Sequence, residues 1–191
     1  MAIELVDGRR VRRHQNREAV IDAMVEMFHA GIYSPGSAQI AERAGLSPRS
    51  LFRYFDDIDD LTQAAIDRQL DAAKPLLDPG VRAGAPLPER VASFVAARVK
   101  LHEATTPGAR AARATAHRNP VVALQVREAR AFLRKQIRVV FPELVADQTT
   151  LLPIVDALLS FETYDLMRSE QRLSMTAVTT ALTDALSALL G

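Results

Sequence analysis

Cysteine is absent from the 191 residues. Its absence removes disulfides, thiolate nucleophiles and cysteine-held metals, and it allows a reducing compartment. No uninterrupted apolar stretch approaches the roughly 18–20 residues that a membrane-spanning helix requires. The opening Met1-Ala2-Ile3-Glu4-Leu5-Val6-Asp7-Gly8 lacks the positive start and long apolar run of a signal peptide. A cytoplasmic chain without membrane contact is the expectation. Charge of one sign is scarce as well, because 24 Lys and Arg stand against 23 Asp and Glu, a net of +1. Residues 1–73 carry 9 Arg against 12 Asp and Glu, a net of −3, so any polyanion must be met by local clusters. There is no internal repeat, no low-complexity tract and no strand-like alternation between hairpin turns.

Catalytic signatures are missing too. His14, His29, His102 and His117 show no metal-ligand spacing on one helix. No glycine-rich loop follows a strand, and no serine has an identifiable histidine partner. Neither an enzyme nor a metal or cofactor is expected.

What the chain does contain is helical periodicity. Hydrophobic residues make up 48% and charged residues 25%, ordinary values for a globular protein. Residues 1 to about 12 read as a flexible arm rich in arginine: Arg9, Arg10, Arg12 and Arg13, with Arg17 following. A first helix over about 13–30 has Ile21, Met24, Val25 and Phe28 on one side, and Gly31 closes it. Asp56-Asp57 caps a fourth helix running to Ala73, and the segment 74–88 is a Pro/Gly-rich connector. Further helices are expected over 89–104, 108–117 (capped by Thr106-Pro107), 119–141, 150–168 and 174–190. The last two are apolar on more than one side. Two arrangements accommodate that breadth: central burial in a bundle, or a two-fold intersubunit four-helix contact.

Residues 37–56 carry the most information. Ser37 suits a helix cap, Ile40, Ala41 and Ala44 share a face, and Gly45 stands where helices end in a left-handed residue. Ser47-Pro48 then reads as N-cap and first helical residue, with Leu51, Phe52 and Phe55 as the buried side of a second helix. This order is the pattern of a helix-turn-helix, whose second helix enters the major groove. Arg49 and Arg53 lie one turn apart on its outer face, and arginine can donate twice to guanine O6 and N7. Pro48 offers only apolar contact, and Gln39 can reach a base edge or a phosphate. Ser37, Ser47, Ser50 and Tyr54 bear hydroxyls suited to phosphate. Ser37 and Ser47 serve equally as pure caps, Tyr54 as a core aromatic. Arg12, Arg13 and their neighbours either track the DNA backbone or remain a solvated tail.

The segment from about 13 to 73 resembles the tetracycline-repressor (TetR) family of bacterial transcription regulators. Gly31, Tyr33, the run Ile40 to Ser47, Leu51 to Phe55, and Leu61 carry the resemblance. It implies an all-α fold of about nine helices in two parts. Residues 1–55 would be the basic arm and DNA-binding domain, and residues 56–191 the effector-binding and dimerisation domain, with helix 4 (56–74) joining them. It also implies a homodimer through about residues 150–190, a palindromic double-stranded DNA operator, and a small-molecule effector of unknown identity. Candidate effector contacts are polar or aromatic residues within apolar helices: Phe94, Arg98, His102, His117, Gln125, Phe161, Tyr164 and Asp165. The simpler reading of each is a satisfied core or surface residue. Two departures from the family stand out. Phe52 replaces a common tyrosine, and Ile58, flanked by Asp56, Asp57, Asp59 and Asp60, replaces a common lysine. Those carboxylates serve the helix dipole and repel phosphate, so the arm is expected to contribute more positive charge than usual. The alternative is an all-helical protein-binding scaffold that does not bind DNA.

Overall fold

The computed structural model describes residues 2–146 and 150–191, without the side chains of residues 2–7, 9 and 146. Ten α-helices and no strand occur among the described residues. They are α1 (Ala2–His29), α2 (Ser37–Arg43), α3 (Pro48–Leu51), α4 (Ile58–Ala73), α5 (Leu87–Ala116), α6 (Pro120–Val140), α7 (Glu143–Ala146), α8 (Leu151–Leu158), α9 (Phe161–Asp165) and α10 (Met175–Leu190). No described helix is long and apolar enough to cross a membrane. The chain divides into two compact units. One holds the residues up to Ala72 together with Pro107–Leu124, the other Ala73–Thr106 with Gln125–Gly191.

In the first unit α1 supplies Val20, Ile21, Ala23, Met24, Met27 and Phe28 to the core, against Ile40 and Ala41 of α2, Leu51, Phe55, and Leu61, Ala65 and Ile66 of α4. Burying an aliphatic or aromatic side chain of this size contributes about 1.5–3 kcal/mol. The expected left-handed glycines are in place. Gly31 has φ +80° and Gly45 φ +68°. At Gly45 the Leu46 N–H reaches back to the Ala41 carbonyl at 2.9 Å and the Gly45 N–H to that of Glu42 at 3.1 Å, which closes α2. Outside the core, the Arg68 guanidinium of α4 binds Glu18 and Asp22 of α1.

The second unit is built from Val91, Phe94, Val95 and Val99 of α5, Ile137 and Val140 of α6, Phe141, Leu144, and residues of α8 to α10 including Val155, Tyr164, Val178, Leu182 and Leu186. Arg90 holds the C-terminal end of α6. Its guanidinium donates to the Val140 carbonyl at 2.8 Å and to Glu143 at 2.9 Å, and lies 5.4 Å from the Phe141 ring centre.

Several expectations are corrected. The arm is helical from Ala2, since residues 2–12 contain no proline and a single glycine. α5 runs unbroken through Pro107 where two helices were expected. Proline forfeits one backbone hydrogen bond. The Thr105 and Thr106 hydroxyls donate at 2.8 Å to the Leu101 and His102 carbonyls of the preceding turn. Conversely, the single helix expected over 150–168 breaks at Ser160. Its backbone is extended (φ −74°, ψ 160°) and its hydroxyl accepts the Thr163 N–H at 3.2 Å, starting α9 afresh. A π-helical turn, Leu166–Glu170, follows.

Candidate nucleic-acid interface

The helix-turn-helix is formed by α2, the turn at Gly45, and α3. Ser47 caps α3 by accepting the Ser50 N–H at 3.2 Å, while the two serine hydroxyls lie 2.9 Å apart. Pro48 occupies the first helical position, where a missing N–H loses nothing. Leu51 and Phe55 point inward, so Arg49 and Arg53 are turned out and exposed. Neither arginine makes an ion pair among the described residues. Their donors are available to an external acceptor.

Phe52 was expected on the buried side and is instead 49% exposed. α3 has a single turn, and its closing residues unwind so that Leu51 and Phe55 alone fill the core. Ser37 was expected to cap α2, but Gly36 is the N-cap and Ser37 the first helical residue. The Gln39 side-chain carbonyl accepts the Gly36 N–H at 3.0 Å and secures the start of α2. Gln39 itself stays exposed.

Arg12, Arg13, Arg53 and Tyr54 line one surface depression. Arg12 and Arg13 are remote in sequence from Arg53 and Tyr54, and the fold brings them together because α1 packs beside the end of α3. Asn16, which sequence reasoning passed over, makes the link. Its amide donates to the Tyr54 hydroxyl at 3.0 Å. The Tyr54 hydrogen remains available for donation. Arg17 is differently occupied. Its guanidinium sits 4.9 Å from the Phe55 ring centre and 3.6 Å from Glu18. The Arg9 side chain lies outside the described residues.

The start of α4 is committed to its own capping. The Asp60 N–H donates to Asp57 at 2.7 Å, the Asp56 N–H to Asp60 at 3.1 Å, and Arg118 donates to Asp59 at 3.2 Å. Ile58 is half-buried beside them. These carboxylates satisfy the helix end that in other circumstances attracts an anion.

The effector candidates are dispersed. Phe94 is buried edge-on to Phe141, with centroids 5.3 Å apart. Arg98 is only 4% exposed and lies over the Phe94 ring at 4.9 Å. It donates to the Leu133 carbonyl at 3.2 Å and to Gln136 at 3.1 Å. Burial pulls its pKa down from the ordinary arginine range to about 10, against the opposing attraction of Asp156. His102 is buried between Phe161, at 5.8 Å, and Tyr164, at 5.5 Å. Its Nε2 lies 3.0 Å from the Leu159 carbonyl, which can only accept, so Nε2 carries the hydrogen. Tyr164 donates to Glu103. Gln125 and Asp165 are half-buried in the same unit, whereas His117 is exposed and belongs to the other. No group of three or more residues able to hold a metal ion occurs among the described residues.

The model of the family described as bacterial regulatory proteins, tetR family, matches residues 20–65, from the middle of α1 to α4 and across the whole helix-turn-helix. Residues 20–65 thus carry the helix-turn-helix segment of that family, a DNA-binding module of transcription regulators. Solved structures share the fold along nearly the full length. A transcriptional regulator from Rhodococcus sp. Rha1 superposes with TM-score 0.70 at 18% identity, covering 91% of this chain and 95% of that one. A TetR-like transcriptional regulator from Rhodococcus sp. RHA1 gives 0.63 at 19%, covering 92% and 96%. The fatty acid degradation regulator FadR from Bacillus halodurans gives 0.55 at 18%, covering 92% and 94%. No curated protein matches the chain in sequence.

Proposed function

We propose that this regulator is a homodimeric repressor that holds a palindromic operator and leaves it when a small molecule binds. Residues 1–55 would serve DNA and residues 56–191 the effector and the dimer contact. The observation that carries the reading is the depression lined by Arg12, Arg13, Arg53 and Tyr54, with Arg49 exposed on the short helix α3 just before Arg53. Two chain segments remote in sequence place basic and hydroxyl groups on one surface of a helix-turn-helix. Arg49 and Arg53 would read guanine edges in the major groove. Pro48 would touch base methyl groups, and Arg12, Arg13, Ser37, Gln39, Ser47, Ser50 and Tyr54 would fix the register on phosphates.

A two-fold dimer suits this chemistry because two copies of α3 can read two half-sites one helical turn apart. The dimer surface would lie on α8 and α10, within residues 150–190, where Ile154, Pro153, Ala157, Ala181 and Ala188 are exposed. The effector would be held in the second unit against the buried rings of His102, Phe161 and Tyr164, with Phe94, Arg98, Gln125 and Asp165 as further contacts. Arg98, His102 and Tyr164 already bond to protein groups, so the ligand has to replace those bonds.

Selection of binding sites from a randomised duplex pool tests the reading. The expected product is one inverted repeat with half-site centres about 34 Å, or a multiple, apart. Enrichment of no sequence over the starting pool would favour a scaffold that binds protein alone.

A further inference from the structure

We propose that the solvent face of α6 is a contact between two copies of this chain, in which the two α6 helices lie antiparallel about a two-fold axis near Ala131 and Phe132. This contact goes beyond the α8 and α10 dimer and depends neither on it nor on DNA binding.

The starting observation is an apolar face in the wrong place for a monomer. Val122 is buried in the first unit and Ile137 and Val140 in the second, so the opposite side of α6 faces solvent. On that side Val121, Leu124, Phe132 and Val139 are exposed, Phe132 by 46% and Val139 by 61%. Four large apolar side chains on one exposed helix face mark a contact rather than scatter. Glu128 and Lys135 are exposed between them. At 100° per residue, Leu124, Glu128, Phe132, Lys135 and Val139 fall within one strip about 80° wide and about 22 Å long. The arginine stripe of Arg127, Arg130, Arg134 and Arg138 runs to one side of it. Arg130 and Arg134 meet Glu162 at 3.4 Å and Asp156 at 3.9 Å.

The order of residues along the strip identifies the occupant. From Leu124 to Val139, read in either direction, it is apolar, charged, aromatic, charged, apolar, with the two charges of opposite sign. A surface that meets its own copy about a two-fold axis must be self-complementary. Antiparallel pairing about Phe132 sets Glu128 against the partner's Lys135 and Lys135 against the partner's Glu128. It also sets Leu124 against the partner's Val139, and the Phe132 rings meet near the axis. Parallel pairing would oppose glutamate to glutamate and lysine to lysine, a repulsive arrangement. A partner of different sequence has no need for this inverted order.

The absence of cysteine makes the test direct. A Glu128→Cys/Lys135→Cys double variant places the two thiols about 10 Å apart within one helix, too far for an internal disulfide. Across the proposed axis they face each other. Mild oxidation of the full-length double variant is expected to give covalently linked dimers on a non-reducing gel, and each single variant little of this product. Phe132→Glu added to the double variant should abolish the link. Independently, Glu128→Lys alone should weaken the contact in sedimentation equilibrium by about tenfold, and Glu128→Lys/Lys135→Glu should restore it. No inter-protomer disulfide in the double variant, equal yield from the single variants, or an unchanged association constant for Glu128→Lys overturns the proposal. The α8 and α10 dimer would survive any of these results, since its own residues are untouched.

Discussion

The Asn16 side-chain amide of α1 donates to the hydroxyl of Tyr54, just beyond α3, at 3.0 Å. One hydrogen bond thus joins the helix that carries Arg12 and Arg13 to the turn that carries Arg53. It leaves the phenol its own hydrogen to donate and fixes where that hydrogen can point. Asn16→Ala should therefore lower affinity for the selected duplex by up to about tenfold, the worth of one partly exposed hydrogen bond. Tyr54→Phe should do the same, and the double variant should lose little more than either single. Fluorescence anisotropy with the three proteins checks this, and additive losses would show that the two groups act separately.

The arm prediction concerns salt. Each phosphate contact removed lowers the slope of log affinity against log salt by about 0.9. Arg12→Ala/Arg13→Ala should weaken binding to every duplex alike and flatten that slope, because the start of α4 has spent its anion-binding capacity on Asp57 and Asp60. Ile58→Lys should recover part of the loss, blunted by pairing with the adjacent aspartates. An unchanged slope in the double-alanine variant would mean that Arg12 and Arg13 touch no DNA.

For the dimer, the structure redirects an obvious experiment. Leu182 and Leu186 belong to the periodic apolar set of α10, yet both are buried inside the protomer itself. Charging them tests folding, not association. Ala181 and Ala188 are exposed on the other side of the helix. With the α6 contact removed by Phe132→Glu, Ala181→Arg should convert dimer to monomer in sedimentation velocity and leave the far-ultraviolet circular dichroism unchanged. A folded dimer of unaltered mass would remove α10 from the interface.

Arg98 carries a strongly displaced pKa. Its folded value of about 10 lies below that of an unfolded arginine, so the folded state holds the proton less tightly. The cost of burying the cation is fully present at neutral pH and is relieved only as pH rises through about 10. Replacing a buried charge by an apolar group of similar length is often neutral or stabilising. Arg98→Met should match or exceed the wild type by about 0–2 kcal/mol in urea denaturation at pH 7, with Asp156 still 3.9 Å from Arg134. Its advantage should shrink above pH 10. A loss of several kcal/mol at pH 7 would mean that the bonds to Leu133 and Gln136 outweigh the burial cost.

How far the sequence could be read depended on whether a signal was local. Gly31 and Gly45 announced the ends of α1 and α2, because only a residue without Cβ enters φ near +70° cheaply. Ser47-Pro48 announced α3 for a similar reason. Where tertiary contacts decide, the pattern misled. Phe52 has the right spacing for the core, but α3 ends before its ring can turn inward. Pro107 has the form of a helix start yet lies inside α5. Ser160 opens a helix in the middle of an apolar run whose periodicity hides the break. The link from Asn16 to Tyr54 spans 38 positions and has no local sign.

The central claim is that Arg49 of α3 and Arg53 of the turn after it read base sequence, and Arg53→Ala tests it most directly. Anisotropy titrations at one salt concentration should compare the selected duplex with a scrambled one, for the wild type and the variant. The account predicts a loss of about 1–3 kcal/mol on the selected duplex, little change on the scrambled one, and so a reduced preference. An equal loss on both duplexes would contradict it and leave Arg53 as a phosphate contact only.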